Sequence, residues 1–215
     1  MRVSALLFDL DGTLADSDPL HLEAFQAVLG PDRPLSSETY QREIMGRTNP
    51  AIFAELFPDR PQDQAALADE KEARFRALIP ALKPVAGAGA LLDWAGRAGV
   101  PAAVVTNAPR ANAVAMLSAL GLTDRFETLV IGPECARQKP DPLPYLTAMA
   151  RLGAAPETCL AFEDSRSGAR AAVAAGALTF GLRTSLCDAD LRAVGVTATL
   201  QDFNDPVLWT FLDNF

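Results

Sequence analysis

Leu7-Phe8-Asp9-Leu10-Asp11-Gly12-Thr13-Leu14 is the stretch on which the reading of the fold turns. Residues 3–8 form an apolar run of strand length. Side chains alternate along an extended chain, so Asp9 and Asp11 project the same way from the end of that strand. Like charges placed so close repel unless a cation or a proton lies between them. Gly12-Thr13 then supplies a turn. A buried strand that ends in two carboxylates and a tight turn is a site in outline.

A regular alternation begins after Pro84. Helical patterns at 88–98, 110–120, 142–151 and 165–175 are separated by short apolar runs at 102–105, 129–131, 159–162 and 178–180. Strands alternating with helices of this length predict βαβ units and a parallel central sheet. The ends of the predicted strands carry Asp9, Thr106, Glu163 and Asp164, and open α/β sheets bind ligands at the carboxyl ends of their strands. Residues 18–82 read differently. His21, Ala24, Phe25, Val28 and Leu29 share one helical face, Pro19 suits a first turn, and Asp18 is a candidate cap. Further helices are expected at 37–44, 50–56 and 62–79, punctuated by Gly46, Pro58 and Pro61, with no strand. The expected organisation is a discontinuous α/β core of residues 1–15 and 83–215 with a helical domain, 16–82, inserted in it.

Composition narrows the function. The chain has 215 residues, 49% of them hydrophobic and 21% charged, enough for a substantial core. A net charge of −8 argues against nucleic acid, which is bound by surplus Lys and Arg. It leaves room for a small anion held by a metal and a local cluster of positive groups. Cys135, Cys159 and Cys187 are odd in number and lack metal-type spacing, as expected of reduced thiols in the cytosol. The N-terminal apolar run is too short for a signal peptide or a membrane span. A cytoplasmic protein with no membrane and no protein partner is the expectation.

Four stretches in fixed order carry a family resemblance: Asp9-Leu10-Asp11-Gly12-Thr13, Val105-Thr106-Asn107-Ala108, Lys139-Pro140-Asp141-Pro142, and Phe162-Glu163-Asp164-Ser165 with Gly168 and Ala175-Gly176. Together they resemble the haloacid dehalogenase superfamily, in the group with a helical cap inserted after the first motif. The resemblance implies a Rossmann-like α/β core with an all-helical cap, and a Mg²⁺-dependent phosphatase acting on a small phosphorylated metabolite. It implies Asp9 as nucleophile forming an aspartyl-phosphate. Asp11 is the implied general acid–base; superfamily members that cleave carbon–halogen bonds lack it, since no alkoxide then needs a proton. Asp9, the carbonyl of Asp11 and the side chain of Asp164 are the implied Mg²⁺ ligands. Thr106 and Asn107 are implied to hold phosphate oxygens, with helix capping as the alternative use of either. Lys139 is implied to neutralise nucleophile and phosphate together. Glu163 is left with three uses: binding a metal-bound water, orienting Lys139, or capping the next helix.

In the cap, His21 matches a histidine that links cap closure to the acid–base Asp in many relatives, and a packed helix-face His is the alternative. Gly46-Arg47-Thr48-Asn49 resembles a loop that faces the active site in this group, so Arg47 is a candidate for a carboxylate or second phosphate of the substrate. Lys71 matches a substrate-contacting Lys of some relatives, with a solvated helix face as the alternative. β-Phosphoglucomutases share all four motifs, but their cap loop reads Lys-Gly-x-Ser-Arg where this chain has Met45-Gly46-Arg47-Thr48-Asn49. A sugar phosphomutase is therefore the second expectation. A non-catalytic phosphate-binding regulator is the third, and the intact set Asp9, Asp11, Lys139 and Asp164 argues against it.

Overall fold

The computed structural model describes residues 2–215. In chain order the elements are β1 (Ala5–Phe8), β2 (Ala15–Asp16), α1 (Asp18–Leu29), α2 (Ser37–Thr39) running into a π-helical turn (Tyr40–Ile44), α3 (Asn49–Leu56), α4 (Gln64–Leu78), β3 (Lys83–Pro84), α5 (Ala88–Ala98), β4 (Ala102–Thr106), α6 (Arg110–Ala119), β5 (Thr128–Ile131), α7 (Leu143–Leu152), β6 (Cys159–Glu163), α8 (Arg166–Ala174), β7 (Leu178–Leu182), α9 (Asp188–Val194), β8 (Ala198–Leu200) and α10 (Pro206–Asn214). The chain divides into two compact units, Met1–Asp16 with Lys83–Phe215, and Ser17–Leu82.

In the first unit six strands form one sheet in the order β5-β4-β1-β6-β7-β8, every pair parallel. Strands β1, β4 and β6 are buried along their whole length, as a sheet covered on both faces requires. Alternate residues serve the two faces. Ala5 and Leu7 pack with Ala103, Val105, Ala148, Met149, Ala161 and Ala171. Phe8 turns the other way and stacks on Phe162, ring centroids 4.9 Å apart, and Phe162 stacks on Phe180 at 5.8 Å. Each such buried ring contributes about 1.5–3 kcal/mol of transfer free energy.

β1 lies in the middle, and its register sets the site. Phe8 is level with Val104 on one side and with Phe162 on the other. The residues that follow these strands, Asp9 after β1 and Asp164 after β6, therefore emerge at one edge, with Thr106 closing β4. β2 and β3 pair antiparallel, Ala15 with Pro84 and Asp16 with Lys83, where the chain leaves this unit and returns. That short ribbon places Asp16 in the first unit. The three cysteines are free thiols.

The second unit is helical. Phe25, Leu35, Tyr40, Ile44, Ile52, Phe53 and Phe57 form its core. Two features differ from the sequence expectation. Ser17, not Asp18, occupies the N-cap of α1, and the Asp18 carboxylate instead accepts a hydrogen bond from the Tyr40 hydroxyl at 3.1 Å. Residues 37–44, expected as one helix, change from α to π geometry at Tyr40. Among the described residues no helix is long and apolar enough to cross a membrane.

Candidate active site

β1 delivers Asp9 through a main-chain bond: its N–H donates to the Phe162 carbonyl at 3.0 Å, continuing the β1–β6 ladder by one residue. The chain then turns sharply. Gly12 donates to Ala15 at 2.8 Å, and Leu14 and Ala15 both donate to the Leu10 carbonyl at 3.0 Å. Gly12 has φ +69°, and a β-carbon there would collide with the Asp164 carboxylate. Two independent constraints thus demand glycine at this position. Asp11, half-buried, lies in the same turn.

Lys139 is the hub. Its ammonium donates to Asp9 Oδ1 at 2.6 Å and to Glu163 Oε1 at 2.5 Å, all three groups being buried. The Lys139 main chain is held from the turn after β4. The Asn107 carboxamide accepts from the Lys139 N–H at 3.3 Å and donates to the Lys139 carbonyl at 3.2 Å. Gly132 leaves the space that carboxamide occupies. Thr106, almost fully buried, accepts from the Ala108 N–H at 3.0 Å. The Asn107 side chain is therefore committed to Lys139 by both of its ends, a use the sequence reading did not include.

Glu163 has no exposed surface. Its Oε1 also accepts from the Tyr145 hydroxyl at 2.7 Å, and its Oε2 accepts from the Ser165 hydroxyl at 3.2 Å. Ser165 at the same time accepts from the Gly168 N–H at 3.0 Å, so it caps α8 while tethering Glu163. Of the three uses open to Glu163, helix capping falls to Ser165. Asp164 is gripped separately: Oδ1 accepts from Thr13 at 3.2 Å, and Oδ2 from the Ser185 hydroxyl. Thr184, beside it, donates to the Gly12 carbonyl at 2.6 Å.

The electrostatics follow from this burial. Loss of water pushes the Asp9 carboxyl up to about 8, although the Lys139 ammonium pulls the other way. Burial also disfavours the Lys139 charge, but the Asp9 and Glu163 carboxylates outweigh it and raise its pKa above the ordinary lysine value. The two neighbouring carboxylates thus favour the charged form of the ammonium. Asp9, Glu163 and Asp164 each offer an oxygen within 4.8 Å of the others. Hard oxygen donors crowded to this degree suit a divalent cation, which would stabilise the charged form of Asp9.

The cap candidates belong to the second unit. There the Lys71 ammonium lies 2.8 Å from His21 Nδ1 and 2.9 Å from Glu72 Oε1, and over the Phe25 ring at 4.9 Å. His21 stacks on Phe75 at 3.9 Å. Lys71 is buried, so it is not a solvated helix-face charge. Arg47 donates to Glu55 at 2.6 Å and to the Glu43 carbonyl at 2.7 Å. Gly46 beside it has φ +73°.

Tyr145, Ser185 and Thr184 were missed from sequence. Tyr145 fits the apolar pattern of α7, and only its hydroxyl, which a buried position must satisfy, marks it as more than core. Ser185 and Thr184 lie outside every motif, and no local spacing signals them.

A family model described as haloacid dehalogenase-like hydrolase matches residues 6–182. A phosphoglycolate phosphatase of Xylella fastidiosa is 39% identical over 176 residues, 80% of this chain and 76% of that protein. The fructose-1-phosphate phosphatase YqaB of Escherichia coli is 33% identical over 179 residues, 81% of this chain and 94% of its own. The crystal structure of CbbY from Rhodobacter sphaeroides in complex with phosphate superposes with a TM-score of 0.82 at 28% identity, covering 94% of this chain and 95% of that one.

Proposed function

The chain belongs to the haloacid dehalogenase-like hydrolase family, and from that premise we propose a Mg²⁺-dependent phosphatase of small phosphomonoesters, with sugar phosphates and phosphoglycolate as the substrate class. One observation carries the reading: a buried ammonium, Lys139, bridges the carboxylate after β1 and the carboxylate ending β6, with Asp164 in the same cluster. The names of the relatives support the substrate class.

Asp9 and Asp164, with the main-chain carbonyl of Asp11, would hold Mg²⁺. When bound, the ion offsets the repulsion between a carboxylate and a phosphate and stabilises charge on the transferring oxygens. Asp9 attacks phosphorus as the ester oxygen leaves, forming the aspartyl-phosphate. Asp11 donates its proton to the leaving alkoxide. It then takes a proton from the water that attacks the aspartyl-phosphate, which frees inorganic phosphate and restores Asp9. Lys139 shares its charge between Asp9 and the phosphate oxygens, and Glu163 orients Lys139. The Thr106 hydroxyl, which accepts from Ala108 and keeps its own proton to donate, receives a phosphate oxygen at the turn after β4, while the Asn107 carboxamide holds the lysine loop. In the cap, His21, Gly46, Arg47 and Lys71 stand as candidates for the rest of the substrate.

Phosphate release is measured over a panel of phosphomonoesters, with Mg²⁺ or with EDTA. The panel includes phosphoglycolate, fructose 1-phosphate, and β-glucose 1-phosphate supplied with its 1,6-bisphosphate. Mg²⁺-dependent release is expected, and Asp9→Asn should lose several orders of magnitude in kcat with the fold intact. Glucose 6-phosphate formed without free phosphate would replace the phosphatase with a mutase. Retained turnover in Asp9→Asn would remove the nucleophile assigned here.

A further inference from the structure

Tyr145 occupies the second position after the start of α7 and is fully buried among Leu7, Ala148 and Ala161. Phenylalanine would fill that apolar space equally well. The hydroxyl is costly there unless it is bonded, and its partner is Glu163 Oε1, the same oxygen that receives the Lys139 ammonium. The ring itself lies beneath that ammonium, 5.1 Å from nitrogen to centroid. Resting on the assignment of Lys139 above, we propose that Tyr145 is a positioning residue for phosphoryl transfer. It fixes the Glu163 carboxylate through its hydroxyl and backs the Lys139 ammonium with its ring.

The geometry gives this role physical content. A lysine ammonium has three donors. Two are directed at Asp9 and Glu163, and the third is left for a phosphate oxygen. Where that third donor points depends on where Glu163 lies. Ser165 restrains Oε2 at 3.2 Å, and Tyr145 restrains Oε1 at 2.7 Å by the shorter bond. The phenol also disperses part of the Glu163 charge, so that Glu163 anchors the ammonium without drawing it away from Asp9. Burial and the neighbouring carboxylates hold the phenol pKa well above its ordinary value, so it remains a donor.

The test compares kcat and KM for Tyr145→Phe, Glu163→Gln, the double variant and Lys139→Ala, each checked for folding by circular dichroism. Tyr145→Phe keeps the ring and removes the hydroxyl. It should lower kcat about tenfold, the effect of losing one hydrogen bond to a charged group, with KM within about twofold. On the Glu163→Gln background the same change should cost little more, because the two act through one path. That background also removes the buried charge that loss of the phenol leaves short of a donor, and so supplies a folded comparison should the single variant unfold. Lys139→Ala separates the two readings. If it turns over like the parent, the assignment of Lys139 fails. If it is inactive while Tyr145→Phe keeps the parent kcat, or while the two losses multiply in the double variant, Tyr145 is structural only.

Discussion

A β-carbon at Gly168, in the first turn of α8, would land on the Glu163 carboxylate. Two effects of Gly168→Ala oppose each other. Alanine favours the helix by about 1 kcal/mol, while crowding a packed interior costs about 1–3 kcal/mol. The crowded group here is held by three donors, Lys139, Tyr145 and Ser165, and cannot step aside cheaply. We expect the crowding to win. With the crowding at the upper end of that range, the urea midpoint should fall by the equivalent of about 2 kcal/mol, and kcat should fall with it because Lys139 follows Glu163. An unchanged midpoint would mean that the carboxylate yields freely. The motif residues Asp9, Lys139, Glu163 and Asp164 were legible in the sequence because each stands beside a strand or helix signal. Tyr145 and Ser185 were not. Their partners lie 18 and 21 residues away, and only the sheet brings them together.

The loop between β7 and α9 acts on the site as an element. Thr184 holds the Gly12 carbonyl while Ser185 holds Asp164, so one loop steadies both sides of the carboxylate pocket. Groups that orient a metal ligand typically govern affinity by 10–100-fold. Ser185→Ala should therefore weaken Mg²⁺ binding about tenfold by titration calorimetry, with the thermal unfolding midpoint close to that of the parent. Equal affinity would show that the other contacts of Asp164, Thr13 among them, suffice to hold it. This loop also marks where the sequence pattern gives out. Alternation of apolar runs and helices predicts the elements up to residues 178–180. The structure extends β7 to Leu182 and continues through α9, β8 and α10. β8 has three residues, too short for a period to register. The start of α10 carries a readable signal, Asp205 capping through Val207 N–H at 3.0 Å ahead of Pro206 at the first turn, but nothing local ties it to the sheet. The shift to π geometry at Tyr40 has no counterpart in the apolar pattern either, since both geometries bury Tyr40 and Ile44.

At the scale of the whole molecule, 27 acidic side chains against 19 Lys and Arg make acid the natural stress. Three surface carboxylates are held below their ordinary pKa by hydrogen bonds. Glu134 accepts from Arg110 at 2.6 and 2.7 Å. Asp188 accepts from Arg192 at 2.8 Å and from Thr199. Asp190 accepts from the Cys187 thiol at 3.2 Å and from Arg166 at 2.8 Å. A carboxylate whose pKa is lower folded than unfolded binds protons more tightly in the unfolded chain. Its contribution to stability is complete above the unfolded value, about 4, and is lost as pH falls through the folded one. These groups should therefore leave stability unaffected between pH 5 and 7 and withdraw their share below about pH 4. Asp188→Asn removes one titration, so its unfolding temperature should fall less steeply with acid than the parent's between about pH 4 and 2. Because the pairs are exposed, about 0.5 M salt should narrow the gap between the two curves. Parallel acid limbs in low salt would show that the Arg192 and Thr199 contacts to Asp188 carry no linkage, and that the acid sensitivity of the fold arises elsewhere.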